Sequence, residues 1–151
     1  MKRFTILILL VVFGLASTAM AAGTVTVSEY RYAKGQSMTI KLACVGDASD
    51  GSVPETTIDS NNLSEAYWTG KYYLYEVWVE AGTGTAPDAA DLTITMDEGE
   101  ELFDQDSVIP ATGTTEGTVT KYRLVTGKMT ITVANQGTAG GEFDIYIKLV
   151  Q

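Results

Sequence analysis

Asp91-Leu-Thr-Ile-Thr-Met-Asp-Glu-Gly-Glu-Glu-Leu-Phe103 is the stretch whose reading decides the fold. Leu92, Ile94 and Met96 alternate with Thr93, Thr95 and Asp97, a period of two that belongs to a strand with one buried and one wet face. Asp97-Glu98-Gly99 supplies turn chemistry and Glu101-Leu102-Phe103 begins a returning strand, so the spacing predicts a β-hairpin. Nothing in this hairpin is itself reactive.

The same grammar recurs on both sides. Thr24 to Tyr32 alternates β-branched and aromatic residues and is broken by Lys34-Gly35-Gln36. Met38, Ile40, Leu42 and Cys44 alternate with Thr39, Lys41 and Ala43, and Asp47 to Pro54 is a loop by its Asp, Ser, Gly and Pro content. Glu55 to Thr69 has no readable period; Leu63 to Tyr67 could form one helical turn. Lys71 to Glu80 reads as a long strand with Tyr73, Tyr75, Val77 and Val79 inward and Tyr72, Leu74, Glu76, Trp78 and Glu80 on the wetter side. Ala81 to Ala90 is a connector long enough to cross between sheets. After the hairpin, Ser107 to Gly117 reads as a loop. Thr118 to Val125 and Lys128 to Ala134 read as strands, and a last strand buries Phe143, Ile145, Ile147 and Leu149 against Asp144, Tyr146 and Lys148. About eight short strands joined by Gly-rich turns predict an all-β fold, an antiparallel β-sandwich, with a small β-barrel as the alternative.

The chain opens with Met1-Lys2-Arg3 ahead of an uncharged apolar run from Phe4 to Leu15, followed by the small residues of Ser17-Thr-Ala-Met-Ala21. This is the pattern of a signal peptide, residues 1–21, and the run is too short to span a bilayer as a helix. Export then places residues 22–151 as one domain in the periplasm, on the cell surface or outside the cell. Loss of Lys2 and Arg3 leaves eight basic residues against nineteen acidic ones, a net charge of −11. Such a chain repels phosphate backbones and anionic lipid, so neither nucleic acid nor, after cleavage, membrane is an expected partner. The single cysteine, Cys44, allows no internal disulfide and lies on an apolar strand face, where it reads as a small buried hydrophobe. The absence of histidine removes Ser-His-Asp and Cys-His catalysis and His-ligated metals.

Three constellations carry what chemistry there is. Asp47 and Asp50 beside Gly51, Asp97 to Glu101, and Asp104 with Asp106 gather carboxylates as a calcium loop would, without matching an EF-hand; solvated turns are the simpler reading, and no cofactor is expected. Tyr67, Trp68, Tyr72, Tyr73, Tyr75 and Trp78 crowd into twelve residues. Strand alternation puts Tyr72 and Trp78 on the wet face, so Trp68, Tyr72 and Trp78 are the candidates for holding a carbohydrate or a protein partner, and packing is the bland use. Glu76 or Glu80 against Asp97 could be imagined as a glycosidase pair, but nothing selects them over other acids, and short turns leave little room for a cleft.

Three blocks also resemble a family of small β-rich proteins from the structural gene clusters of tailed phages and prophages. These are Ile40-Lys-Leu-Ala-Cys-Val-Gly-Asp-Ala-Ser-Asp-Gly51; Ala86-Pro-Asp with Asp91-Leu-Thr-Ile-Thr-Met-Asp-Glu-Gly99; and Gly127-Lys-Met-Thr-Ile-Thr-Val-Ala-Asn-Gln-Gly137 with Gly141-Glu-Phe-Asp-Ile-Tyr-Ile147. The resemblance implies a structural or decoration role on a particle and no catalytic residues. The signal peptide and the aromatic insert around Trp68 lie outside that pattern. Together these observations favour a non-catalytic exported module that binds a protein, including copies of itself through strand edges, with carbohydrate binding as the alternative.

Overall fold

The computed structural model describes residues 22–32, 36–59, 71–97, 99–117, 119 and 122–151. The signal segment, the Leu63–Tyr67 turn and Trp68 lie outside the described residues. Ten strands follow in chain order: β1 (Thr24–Tyr32), β2 (Ser37–Val45), β3 (Thr56–Ile58), β4 (Tyr73–Ala81), β5 (Ala90–Met96), β6 (Glu101–Ile109), β7 (Thr114–Gly117), β8 (Arg123–Leu124), β9 (Met129–Ala134) and β10 (Glu142–Val150).

They form two antiparallel sheets packed face to face, a sandwich and not a barrel. The larger runs β1-β2-β10-β4-β7, with β8 also on β4; the smaller runs β3-β9-β5-β6. The connector after β4 crosses from the larger sheet to the smaller, as its length predicts. Between the sheets lies one core, drawn from the alternate positions Met38, Ile40, Leu42 and Cys44 of β2, Leu92, Ile94 and Met96 of β5, and Phe143, Ile145, Ile147 and Leu149 of β10. A residue on a central strand with one face toward the other sheet is removed from water on that face alone, so strict alternation is the pattern that satisfies both sides.

The opening hairpin is β5-β6, and Gly99 in its turn takes φ +76°, a conformation that glycine reaches at little cost. Its return strand is longer than the sequence suggests. Ser107 to Ile109 extend β6, and Thr114–Gly117 forms β7 within a stretch that reads as loop. β3 arises in the unreadable Glu55–Thr69 region, where Thr56, Thr57 and Ile58 pair with β9. Of the strand expected over 118–125, β8 is the part described as strand.

The main correction concerns β4. Its register on β10 pairs Glu76 with Lys148 but Leu74 with Leu149, so Tyr75 is an extra residue, a β-bulge. A bulge reverses the in/out phase along a strand. Val77 and Val79 point inward as expected, but below the bulge Leu74 is buried and Tyr72 is 8% exposed, while Tyr73 and Tyr75 stand outside. Tyr72, expected on the wet face, belongs to the core, because burying Leu74 carries its neighbour two residues back with it.

Candidate binding face

The outward positions of the larger sheet line up in cross-strand rows. In one row Ser28, Lys41, Tyr146, Trp78 and Glu116 lie side by side; the next towards one end holds Tyr30, Thr39, Lys148 and Glu76, and beyond it come Tyr32, Ser37, Val150 and Tyr73. On the other side Thr26, Ala43, Asp144, Glu80 and Thr114 form a polar row. Side chains directly opposite on neighbouring strands touch, so these rows are the units of interaction.

Trp78 and Tyr146 stack with centroids 4.8 Å apart and planes 2° from parallel. On the far side of Tyr146 the Lys41 ammonium sits 5.4 Å from the ring centroid and 2.7 Å from an Asp144 carboxylate oxygen. The second cluster repeats the arrangement. Tyr75 stacks on Tyr122 at 5.5 Å and 14°, and Lys148 lies 4.9 Å from the Tyr75 centroid while its Nζ donates to Glu76 at 3.2 Å. The bulge makes this cluster, since it turns Tyr75 and Glu76 to the same side within reach of one lysine.

The electrostatics follow from these contacts. The hydrogen bond to Asp144 holds the Lys41 ammonium above its ordinary pKa, partly opposed by burial. Burial, and after it the Asp144 charge, raises the Tyr146 phenol. Both shifts favour the protonated forms, the Lys41 ammonium and the neutral Tyr146 phenol.

All the large hydrophobic side chains exposed among the described residues, Tyr30, Tyr32, Val45, Tyr73, Tyr75, Tyr122 and Leu124, belong to the larger sheet or the segment leading into β8. Two depressions mark the face. One, about 330 Å³, is lined by Tyr73, Tyr75, Tyr122 and Val150. The other, about 320 Å³, runs between Tyr32 and Trp78 over Ser37, Thr39 and Lys148.

Of the sequence candidates, Trp78 is on this face, Tyr72 is inside, and Trp68 lies outside the described residues. Tyr30, Tyr32, Tyr75, Tyr122 and Tyr146 were not singled out as a group. The alternation of Tyr146 with Asp144 and Lys148 signals an outward ring, but only the sheet order β1-β2-β10-β4 brings these far-separated strands together.

The other constellations are not assembled. Glu76 and Glu80 stand on the larger sheet, whereas Asp97 follows β5 in the smaller one and pairs with Lys128 at 3.1 Å. Among the described residues no three potential metal-ligating side chains converge. Asp47 instead accepts from the Ser49 amide at 2.7 Å and from the Ser49 hydroxyl, which holds its carboxyl below the ordinary value. Asp50 accepts from the Ser52 amide at 2.9 Å, and Asp104 from Thr93 Oγ1 at 3.0 Å. Cys44 is buried, its thiol donates weakly to the Leu42 carbonyl, and desolvation pushes its pKa up to about 12.

Comparison with protein-family models and with curated proteins finds no match.

Proposed function

We propose that this chain is an exported, non-catalytic binding module whose recognition surface is the outer face of the six-stranded sheet. One observation carries the reading: the exposed large hydrophobic side chains of the described residues are gathered on that sheet and its margin. Scattered exposed apolar residues need no explanation, but a contiguous aromatic patch rimmed by charge marks an interaction site. In each of the two stacked pairs one ring lies against its partner, and Lys41 and Lys148 sit over the rings of Tyr146 and Tyr75. Rings held this way are rigid anchors for a protein partner, whether another protein or a second copy of this chain.

A second reading, carbohydrate recognition, is favoured by the groove between Tyr32 and Trp78, whose floor is polar. The resemblance to particle proteins of phages supports a structural use of the same surface. Export rests on the N-terminal pattern of residues 1–21.

The test expresses the full-length sequence, determines the N-terminus of the product by mass spectrometry, and uses the purified protein to capture partners from native envelope and medium. Cleavage after Ala21 and capture that is lost in a Tyr75→Ser/Tyr122→Ser variant with an unchanged melting temperature are expected. Capture unaffected by these two substitutions would move the recognition surface elsewhere.

A further inference from the structure

Thr39 is an anomaly on the outer face. It points away from the core, between Tyr30 and Lys148 in its row, yet it is only 6% exposed. Its hydroxyl has no hydrogen-bond partner among the described residues. A hydroxyl that lines an open groove without a protein partner is one whose hydrogen bonding water or a ligand completes. Thr39 lines the groove, with Ser37 beside it, the Lys148 ammonium at its margin, and the rings of Tyr32 and Trp78 as walls. Those walls stand on β1 and β4, three strand spacings or roughly 14 Å apart, and the short side chains of Ser37 and Thr39 form the low floor between them.

We infer that this groove is a saccharide subsite, sized for a neutral pyranose unit, with Thr39 and Ser37 as its hydroxyl partners and Tyr32 and Trp78 as its walls. The inference rests on the outer face being the recognition surface but not on the partner being a protein.

Four features select this ligand class. The volume, about 320 Å³, lies at the lower end of the range for small-ligand sites, roughly 300–1,000 Å³. A sugar ring presents hydroxyls that both donate and accept, which is what the Thr39 and Ser37 hydroxyls require, and a C–H face that packs on aromatic carbon. Tyr32 is 56% exposed, so much of its ring surface is open to such contact. Lys148 is already neutralised by Glu76 at 3.2 Å, so it offers N–H donors without net charge. In a chain of net charge −9, an acidic sugar would be repelled. The neighbouring depression of Tyr73, Tyr75, Tyr122 and Val150 lacks these hydroxyls and is not assigned to sugar.

The experiment titrates the isotopically labelled protein, expressed from its full-length sequence, with neutral oligosaccharides: β-1,4-linked glucose, xylose and N-acetylglucosamine oligomers. Amide shifts at Tyr32, Ser37, Thr39, Trp78 and Lys148, saturating with at least one series, are expected. Thr39→Val keeps the shape and removes the hydroxyl; it should weaken binding roughly 3- to 10-fold, the loss of one neutral hydrogen bond. Tyr32→Ala should weaken it more, and Lys128→Ala, beside Asp97 and away from this face, should leave it unchanged. A melting curve on each variant separates lost binding from lost fold. If all three series leave the groove shifts unmoved while Tyr32→Ala abolishes capture of a protein partner, the saccharide inference falls and the outer-face reading stands. If Tyr32, Trp78, Tyr75 and Tyr122 substitutions alter neither sugar binding nor partner capture, both fall.

Discussion

Cys44 shows how much one position can be governed by its surroundings. Its thiol is buried in the core, and desolvation pushes its pKa up to about 12 from 9.0, which disfavours the nucleophilic thiolate at neutral pH. Ellman's reagent should therefore react with native protein only at the rate of unfolding, and promptly in denaturant. The same shift has a pH consequence, shared by Lys41 and Tyr146, whose folded pKa values also lie above their ordinary 10.5 and 10.0. A raised group is protonated preferentially in the fold. Its contribution is complete below the unfolded value and is lost as pH climbs through the folded one. The melting temperature should thus fall as pH rises above about 9, where Cys44 begins to titrate in the unfolded chain, and more steeply above about 10. Cys44→Ala should remove the first part of that fall while lowering stability at neutral pH through the lost packing; a profile identical to wild type would contradict this account.

Asp91 is a second single-residue case. Its carboxylate accepts from the Ser107 amide at 2.8 Å and from the Asn135 side-chain amide. Ser107 and Asn135 are the two non-glycine residues described with positive φ, 54° and 62°. One carboxylate therefore holds two segments in a conformation that L-residues enter at a cost. Asp91→Ala should destabilise by about 1–3 kcal/mol in urea denaturation. Ser107→Gly should be neutral or stabilising, since it relieves the backbone cost and keeps the amide.

At the scale of elements, two devices shape the larger sheet. The bulge at Tyr75 lets Leu74 and Val77 both be buried, although they are three residues apart in a strand whose period is two. Deleting Tyr75 should restore an unbroken register, with Leu74 still opposite Leu149 and Tyr73 opposite Val150. Loss of the Tyr75–Tyr122 stacking and a drop in stability are expected, measured by near-UV circular dichroism and chemical denaturation. Edge strand β1 pairs with β2 over its full nine residues without a bulge and has no second partner among the described residues. Glu29 and Arg31 share the inward side with Val25 and Val27 and are ion-paired to each other. Inward charges on an edge discourage another strand from adding to it. Glu29→Val/Arg31→Val should raise light scattering and thioflavin T fluorescence on storage at 37 °C; an unchanged signal would show that these charges are not guards. The bulge and the short β3 and β8 were illegible in sequence for a physical reason: a bulge is a compromise between two registers, and two- or three-residue strands exist only because a neighbour pairs with them. The long strands β2, β5 and β10 were legible because their burial follows period two without interruption.

For the molecule at large, the acidic character goes with carboxylates that, among the described residues, do not converge. Each of Asp47, Asp50, Asp97 and Asp104 already has a turn, strand or lysine partner, so calcium would have to displace those contacts to bind. EDTA or added calcium should leave the melting temperature unchanged beyond the general effect of ionic strength; a calcium-specific rise would overturn this. Phe103 illustrates how tightly the two sheets are joined. A Cβ on Gly117 would lie 2.5 Å from the Phe103 ring, so Gly117→Ala forces the ring to move and should cost about 1–3 kcal/mol as overpacking.

The sequence by itself determined the class of fold, most of the buried set and the charge, because alternation and composition are local properties that each strand carries alone. The candidate face was not readable that way. Trp78 stacks on Tyr146, Lys148 reaches Tyr75, and Tyr32 and Trp78 become walls of one groove only because β10 inserts between β2 and β4 while β1 packs on β2. Strand order in a sheet is set by the packing of the entire core, and a single inserted residue, Tyr75, decided which tyrosines faced water.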